Sequence, residues 1–202
     1  MIHTDRRFNQ VVEEAVRTLE ECTDAEVVVV AAGRSGSYRD AAFAGASAIT
    51  LLLLAVMLYV PYTVPPWAVL VECTGCWALW AWLLDGPHTL RLLTKHDRRE
   101  RQVERAAREE FTGEGVHATP QHTGVLVYLS GLEGRVVVVP DVGIEGRVPP
   151  GEWAKVTRDL PGDDLDQFLG ALERLGEVLA RHVPPRDDPN RLELSDAPRI
   201  RP

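Results

Sequence analysis

The main pattern along the chain is a long apolar stretch in the middle of a sequence that is otherwise rich in charge. Residues 41–60 are 20 consecutive residues without a charged side chain, and residues 67–84 add 18 more, among which only Glu72 is charged. At about 1.5 Å per helical residue, the two stretches are roughly 30 and 27 Å long, close to the hydrocarbon thickness of a bilayer. The pattern predicts two transmembrane helices joined by a proline-rich turn over 61–66.

Positive residues flank the outer ends of this predicted hairpin, and the connection between its helices has none. The flanking cations are Arg34, Arg39, Arg91, Lys95, Arg98, Arg99 and Arg101. Because cytoplasmic flanks carry the excess of Lys and Arg, we expect both termini in the cytoplasm and a multi-pass protein of a bacterial inner membrane. The alternative is a buried helical hairpin of a soluble domain, but the rest of the chain is small for enclosing two such helices.

The segments on either side of the hairpin show the periodicities of helices and strands. Apolar residues at helical spacing predict an amphipathic helix over 5–22, with Thr4 as its N-cap. A Val-rich run predicts a strand over 25–32. After the hairpin, the patterns predict a helix over 96–111, strands over 123–130 and 135–140, a short helix over 152–158, and a Leu-striped helix capped by Asp163.

This order of elements predicts the α/β class, with a small mixed sheet flanked by helices and interrupted by a two-helix transmembrane hairpin. We expect the first two strands to be parallel neighbours. The predicted organisation is a first part of the domain over 1–40, the hairpin over 41–84 with spans 41–60 and 67–84, a second part over 85–183, and a disordered proline-rich tail over 184–202.

Charge and composition narrow the function classes. The chain has 22 Lys plus Arg against 30 Asp plus Glu, a formal charge of −8, and no basic stripe outside the membrane flanks, which argues against a nucleic-acid partner. Of the positive residues, 20 are Arg and 2 are Lys, a bias typical of a GC-rich bacterial genome. No P-loop, dinucleotide-binding, zinc-protease or serine-hydrolase motif occurs.

The three cysteines do not form a disulfide framework. Cys73 and Cys76 are spaced C-x-x-C on the second predicted span, and we expect two small thiols that pack against the neighbouring helix, with a redox pair or half a metal site as the alternative. Cys22, at the end of the first helix, is expected in the core.

Candidate chemistry centres on the end of the third strand. Asp141 follows that strand in an Asp-Val-Gly turn, where a carboxylate is either an oxygen ligand for a cation or a cap for its own turn. Glu145 is near enough in sequence to assist Asp141 in binding Ca²⁺ or Mg²⁺, although Ca²⁺ takes six to eight oxygens and this stretch alone supplies too few.

Glu26 and His117 are further candidates for a cleft, and Arg135 is a candidate for a phosphate contact. Glu26 lies early in the first strand, where burial requires either a cationic partner or a place in a cleft. His117 and His122 lie five apart before the second strand, where a histidine pair could serve zinc binding or acid–base catalysis, although the spacing is unspecific. Arg135 could contact phosphate, but an exposed Arg after a hairpin turn is more often plain surface.

In the order of its elements and in several phrases, the chain resembles the TPM domain family, in the bacterial branch where two membrane helices interrupt the domain after its first strand. The resembling phrases are Thr23–Val30, Gly115–His117, Thr123–Ser130, Arg135–Ile144 and the Leu-rich helix that runs to Pro185. The resemblance implies an α-β-α fold with a cleft where Asp141 leaves the third strand. Some members of that family have acid phosphatase activity or bind a divalent cation such as calcium, and others act in the assembly, repair or modulation of membrane complexes. The resemblance therefore implies either an enzyme or a binding module.

We therefore expect a membrane-anchored, non-enzymatic module that binds another membrane protein or complex. The alternatives are a weak metal-dependent phosphatase with Asp141 as a metal ligand and a membrane redox protein that uses Cys73 and Cys76.

Overall fold

A computed structural model describes residues 6–59, 65–158, 160, 162, 164–186 and 195–201. The chain divides into two compact units. One combines the residues up to Ser35 with those from Glu100 onward, and the other consists of Gly36–Arg99.

The elements follow one another in the predicted order, with two additional helices and one additional strand. In chain order they are α1 (Arg6–Glu20), β1 (Glu26–Ala32), α2 (Arg39–Tyr59), α3 (Pro66–Leu84), α4 (Pro87–Leu93), α5 (His96–Gly113), a 3₁₀ turn (Val116–Ala118), β2 (Gly124–Ser130), β3 (Arg135–Pro140), α6 (Val142–Glu145), α7 (Pro150–Thr157), α8 (Leu165–His182) and β4 (Arg199–Arg201).

The first unit is an α/β domain built on a four-stranded mixed sheet in the order β3-β2-β1-β4. Strand β1 pairs in parallel with both β2 and β4, whereas β3 is antiparallel to β2. The predicted α/β class, mixed sheet and parallel pairing of the first two strands are confirmed. Because β3 is antiparallel, its carboxyl end lies at the edge where β1 and β2 begin.

Strand β1 is buried along its whole length, which explains its run of β-branched residues. Val27 and Val29 point into the larger core, which α1 and α8 cover with apolar residues at helical spacing. Val28 and Val30 point to the other face of the sheet, which α5 covers. Phe8 of α1 and Phe168 of α8 stack with ring centroids 6.4 Å apart, so the outer helices also pack on each other.

The second unit contains α2 and α3, which are both long and apolar enough to cross a membrane. Small residues of α2 let the two helices approach closely: a Cβ atom on Gly45 would lie 2.8 Å from Leu84 Cδ1. Trp77 Nε1 of α3 donates a hydrogen bond to Ser47 Oγ of α2 at 3.1 Å. The helices begin two residues and one residue before the predicted spans 41–60 and 67–84.

The predicted disordered tail is the main correction to the fold. Residues 199–201 form β4, which extends the sheet beside β1, and Gly33 N–H donates to Arg201 O at 3.1 Å. Ion pairs stabilise this short strand, since Arg199 Nε lies 2.7 Å from Glu114 Oε2 and Arg201 Nη2 lies 3.0 Å from Glu110 Oε2. Residues 187–194 of the same predicted tail lie outside the described residues.

Three smaller expectations concern helix ends. Asp164 caps α8 by accepting a hydrogen bond from Gln167 N–H at 3.1 Å, whereas Asp163, the predicted cap, lies outside the described residues. Thr4, the predicted cap of α1, also lies outside them. Cys22 is exposed and not in the core, because it follows the last turn of α1 and precedes the buried Thr23.

Candidate functional site

Asp141 lies in the short connection between β3 and α6 and is only 6% exposed. One carboxylate oxygen, Oδ1, accepts a hydrogen bond from Val142 N–H at 2.8 Å and so caps α6. The other, Oδ2, lies 3.1 Å from His122 Nδ1. Both oxygens of this carboxylate therefore have partners. Asp141 caps its own turn, as one of the two sequence interpretations predicted, and it also contacts a histidine.

The loop that carries His122 is pressed against the start of α6. His122 has a φ of +54°, an uncommon conformation for a residue with a Cβ atom. Its carbonyl accepts a hydrogen bond from Gly143 N–H at 3.0 Å. A Cβ atom on Gly143 would lie 2.4 Å from Gln121 O and 2.5 Å from His122 O, so only glycine fits there. The Asp-Val-Gly turn thus positions the histidine beside Asp141.

Two arginines converge on the residue that precedes His122. Gln121 Oε1 accepts hydrogen bonds from Arg147 Nη2 at 3.3 Å and from Arg186 Nη1. Sequence reasoning missed all three residues, because their positions are 26 and 65 residues apart along the chain and share no motif. We call Gln121, His122, Asp141, Arg147 and Arg186 the Asp141 corner.

Glu26 lies at the same edge of the sheet. Glu26 is 3% exposed, and it pairs with Gly124 in the register of β1 and β2. On the other side of Gly124, its carbonyl oxygen accepts a hydrogen bond from Asp141 N–H at 2.9 Å. The backbone of the 3₁₀ turn covers Gly124, since a Cβ atom there would lie 2.2 Å from Val116 O. Glu26 and Asp141 are therefore two strands apart, roughly 9–10 Å by the spacing of strands in a sheet.

The other candidates lie apart from this pair. Glu145 is exposed on α6. His117 is exposed, and its ring centroid lies 6.4 Å from that of Phe111. Arg135 forms an ion pair with Glu100, with Nη1 and Oε1 2.8 Å apart. The structure thus joins Asp141 with His122, a combination that neither the histidine spacing nor the Asp141–Glu145 pairing suggested.

The arrangement at the Asp141 corner can orient an imidazole and attract an anion. A buried carboxylate 3.1 Å from Nδ1 fixes the orientation of the ring. Among the described residues, neither Asp141 nor Glu145 belongs to a group of three side chains close enough to share a metal ion. Binding of Ca²⁺ or Mg²⁺ at Asp141 stays a prediction.

A second polar cluster lies at the opposite edge, where β1 and β2 end. Ser35 Oγ donates to Ser130 Oγ at 2.6 Å, and Ser130 Oγ donates to the buried carboxylate of Glu133. Ser35 Oγ also lies 3.2 Å from the Tyr128 hydroxyl, and burial raises the pKa of that hydroxyl above its ordinary value. This edge is where open parallel sheets usually bind ligands, but here buried side chains fill it.

Cys73 and Cys76 are both free thiols, one turn apart on α3 and partly buried. Within the described part of the chain they do not join any group of three potential metal ligands. Their assignment as structural residues or as a redox pair stays a prediction.

The fold and this site define a class: an α/β domain with a four-stranded mixed sheet flanked by helices, into which two helices long enough to cross a membrane are inserted. No protein-family model matches the chain, and no curated protein matches it. Among solved structures, the chain is similar to the BA42 protein from the psychrophilic bacterium Bizionia argentinensis, determined by NMR. The TM-score is 0.55 and the identity 15%, over 97% of this chain and 95% of that one. At this identity the likeness shows the fold alone.

Proposed function

We propose that this chain is an integral protein of a bacterial inner membrane, whose α/β domain is a non-enzymatic module for the assembly or modulation of other membrane proteins. The observation that carries the proposal is the exposed apolar surface of α2 and α3. It is joined by the resemblance of the α/β segments to TPM domains, some of which act in assembly, repair or modulation of membrane complexes.

The exposure of these helices supports a membrane hairpin over a buried one. Leu58 is 77% exposed on α2, and Leu70 and Trp82 are 70% and 76% exposed on α3. The core helices of a soluble domain bury such side chains, whereas helices in a bilayer present them to lipid. Lipid is therefore the partner that fits this surface, and the cations at both outer flanks favour a cytoplasmic α/β domain.

The Asp141 corner supports binding better than catalysis. Its carboxylate and imidazole form a pair, but in the described part of the chain no Ser or Thr hydroxyl and no Cys thiol forms a hydrogen bond with either of them. A covalent hydrolytic mechanism needs such a nucleophile next to its base. An oriented histidine, together with two arginines that bind the side chain of the preceding Gln121, forms a surface suited to an acidic group of a partner.

The experiment is affinity purification of the tagged full-length protein from membranes solubilised in a mild detergent, followed by quantitative mass spectrometry. We expect one membrane protein or complex to be recovered in stoichiometric amounts. The variant His122→Ala/Arg147→Ala should reduce that recovery, because it removes two side chains of the Asp141 corner. Recovery of the chain alone, together with turnover of a phosphate ester that Asp141→Ala abolishes, would contradict the proposal.

The second candidate is a weak metal-dependent phosphatase with Asp141 as a metal ligand. The convergence of Arg147 and Arg186 on Gln121 Oε1 favours it, because phosphate binding requires cationic donors close together. Calorimetric titration with Ca²⁺ and Mg²⁺ tests it, with Asp141→Asn and, as a control away from the corner, Glu152→Gln. Absence of heat at millimolar metal would remove the basis for this candidate.

A further inference from the structure

A groove runs along the outer surface of the α/β domain, between α1 and α8. It has a volume of about 700 Å³. Its apolar lining residues are Val11, Ala15, Leu19, Leu169, Gly176 and Ala180. The two helices contact each other at the bottom of the groove, because Gly176 of α8 lets α1 approach closely. A Cβ atom on Gly176 would lie 2.9 Å from Leu19 Cγ. We call this feature the α1/α8 groove.

The charged residues that line the α1/α8 groove, among those described, all have the same sign. They are Glu14, Glu173 and Glu177, and all three are exposed. Glu14 forms an ion pair with Arg17 at 2.6 Å. Within the described part of the chain, Glu173 and Glu177 have no ion pair, so an apolar strip is bordered by uncompensated negative charge.

We propose that the α1/α8 groove binds an amphipathic, cationic helix from the cytoplasmic flank of another membrane protein. This inference rests on the proposed function and specifies the chemistry of the partner. From Leu169 to Ala180 the apolar strip is about 17 Å long at 1.5 Å per residue, which matches three turns of a docked helix. Leu side chains spaced i, i+4, i+7 would fill the strip, with Lys or Arg beside the glutamates.

Charge complementarity selects this occupant over two others. A second copy of the chain would bring the same glutamates to the interface, and like charges across an interface are unfavourable. An anionic lipid surface would be repelled for the same reason. Cytoplasmic flanks of membrane proteins are enriched in Lys and Arg, so the proposed orientation brings the groove to the compartment where cationic segments are abundant.

The structure also offers a reporter, because Cys22 is exposed and lines the α1/α8 groove. The experiment uses the full-length protein with Cys73→Ala and Cys76→Ala, labelled at Cys22 with an environment-sensitive fluorophore, in phosphatidylcholine nanodiscs. The probe is a 14-residue peptide helix with Leu at i, i+4, i+7 and i+11 and Lys on its flanks. We expect saturable binding with one peptide per chain, weakened by added salt.

The decisive variant is Glu173→Lys/Glu177→Lys, which should weaken binding of the peptide at least about tenfold. The matched control is Glu13→Lys, an exposed residue of α1 that does not line the groove, and it should change binding less than about twofold. Ala180→Gln fills the groove without changing its charge and should also weaken binding. A peptide with Glu in place of Lys should not bind.

Several results would overturn the inference. They are absence of saturable binding, equal weakening by Glu13→Lys and by the double reversal, equal binding of the Glu peptide, or concentration-dependent self-association that Glu173→Lys/Glu177→Lys abolishes. Recovery of a membrane partner by the double variant, at the level of the unmodified protein, would reject the groove and leave the proposed function standing. If the unmodified protein recovers no membrane partner in the affinity purification, the proposed function itself is rejected.

Discussion

At the scale of single residues, the clearest steric constraint lies at Gly143. Gly143→Ala would bring a Cβ atom within 2.5 Å of two backbone carbonyl oxygens, Gln121 O and His122 O, so the loop must move away from α6. We expect a loss of about 2–3 kcal/mol in the free energy of unfolding and a weaker His122–Asp141 contact. Thermal unfolding of the full-length protein in detergent measures it.

The control for this substitution is Gly151→Ala. Gly151 lies in α7, where an added Cβ atom meets nothing within 4 Å, so alanine should leave the unfolding midpoint unchanged or raise it. Equal midpoints for the two variants would show that the loop does not press on α6 as described.

Tyr128 provides a prediction on pH. Burial raises the pKa of its hydroxyl above the ordinary value of about 10, so the unfolded chain loses this proton at a lower pH than the folded one. The stability associated with this hydroxyl is therefore present below about pH 10 and decreases as the pH rises beyond it. We expect Tyr128→Phe to flatten the decline of the unfolding midpoint between about pH 9 and pH 11.

The reference for this variant is the unmodified protein, unfolded over the same pH series. A decline of the same slope in Tyr128→Phe and in the unmodified protein would assign the pH dependence to other groups.

How far residues could be predicted from the sequence depended on how local their partners are. The Asp-Val-Gly turn correctly located Asp141 after the third strand, because strand, turn and cap are adjacent in sequence. Asp141 and its partner His122 are 19 residues apart in the sequence, and Gln121 and Arg186 are 65 residues apart. Such contacts follow from how loops meet at a sheet edge, which no residue spacing encodes.

At the scale of elements, β4 is a strand stabilised by side-chain ion pairs more than by its own length. Arg199 and Arg201 pair with Glu110 and Glu114 of α5, and Glu114 is only 14% exposed at its side chain. We expect Arg199→Ala/Arg201→Ala to release β4, because three residues alone contribute few ladder hydrogen bonds. Hydrogen–deuterium exchange should then accelerate in peptides covering β1 and Gly33, whose N–H donates to Arg201 O.

The control for the strand is Arg105→Ala. Arg105 pairs with Glu109 on the exposed face of α5, at side-chain exposures of 77% and 67%, so its loss should not affect exchange in β1. Unchanged exchange in the double variant would mean that backbone pairing alone maintains β4.

Elements with strong periodicity were predicted well, and so was the short helix α7, whereas α4, α6 and β4 were not predicted. Apolar spacing located α1 and α8, and runs of β-branched residues located β1, β2 and β3, because burial of one face or of both faces dictates those patterns. Strand β4 has the sequence Arg-Ile-Arg after a proline-rich stretch, so composition indicated disorder. Its stability comes from α5, which lies far away in the sequence.

At the scale of the whole molecule, an α/β domain contains an inserted pair of apolar helices. The division of the chain into Gly36–Arg99 and the remainder is consistent with an insertion after β1. This unit ends 15 residues after the expected end of the hairpin at residue 84, because it also contains α4. The bounds of α2 and α3 could be predicted to within two residues, because both segments are long and apolar enough to cross a membrane. The α1/α8 groove, proposed above as the partner site, could not be predicted in this way, because its lining comes from two helices far apart in the sequence.

The most direct test of the central claim is labelling of single cysteines in intact cells with a membrane-impermeant thiol reagent. In a background of Cys73→Ala and Cys76→Ala, one variant keeps Cys22 and another carries Cys22→Ala with Thr63→Cys in the connection between the two helices. We predict that Thr63→Cys reacts in intact cells and that Cys22 reacts only after permeabilisation. Labelling of Cys22 in intact cells, or protection of Thr63→Cys until permeabilisation, would contradict a hairpin that crosses the membrane with the α/β domain inside.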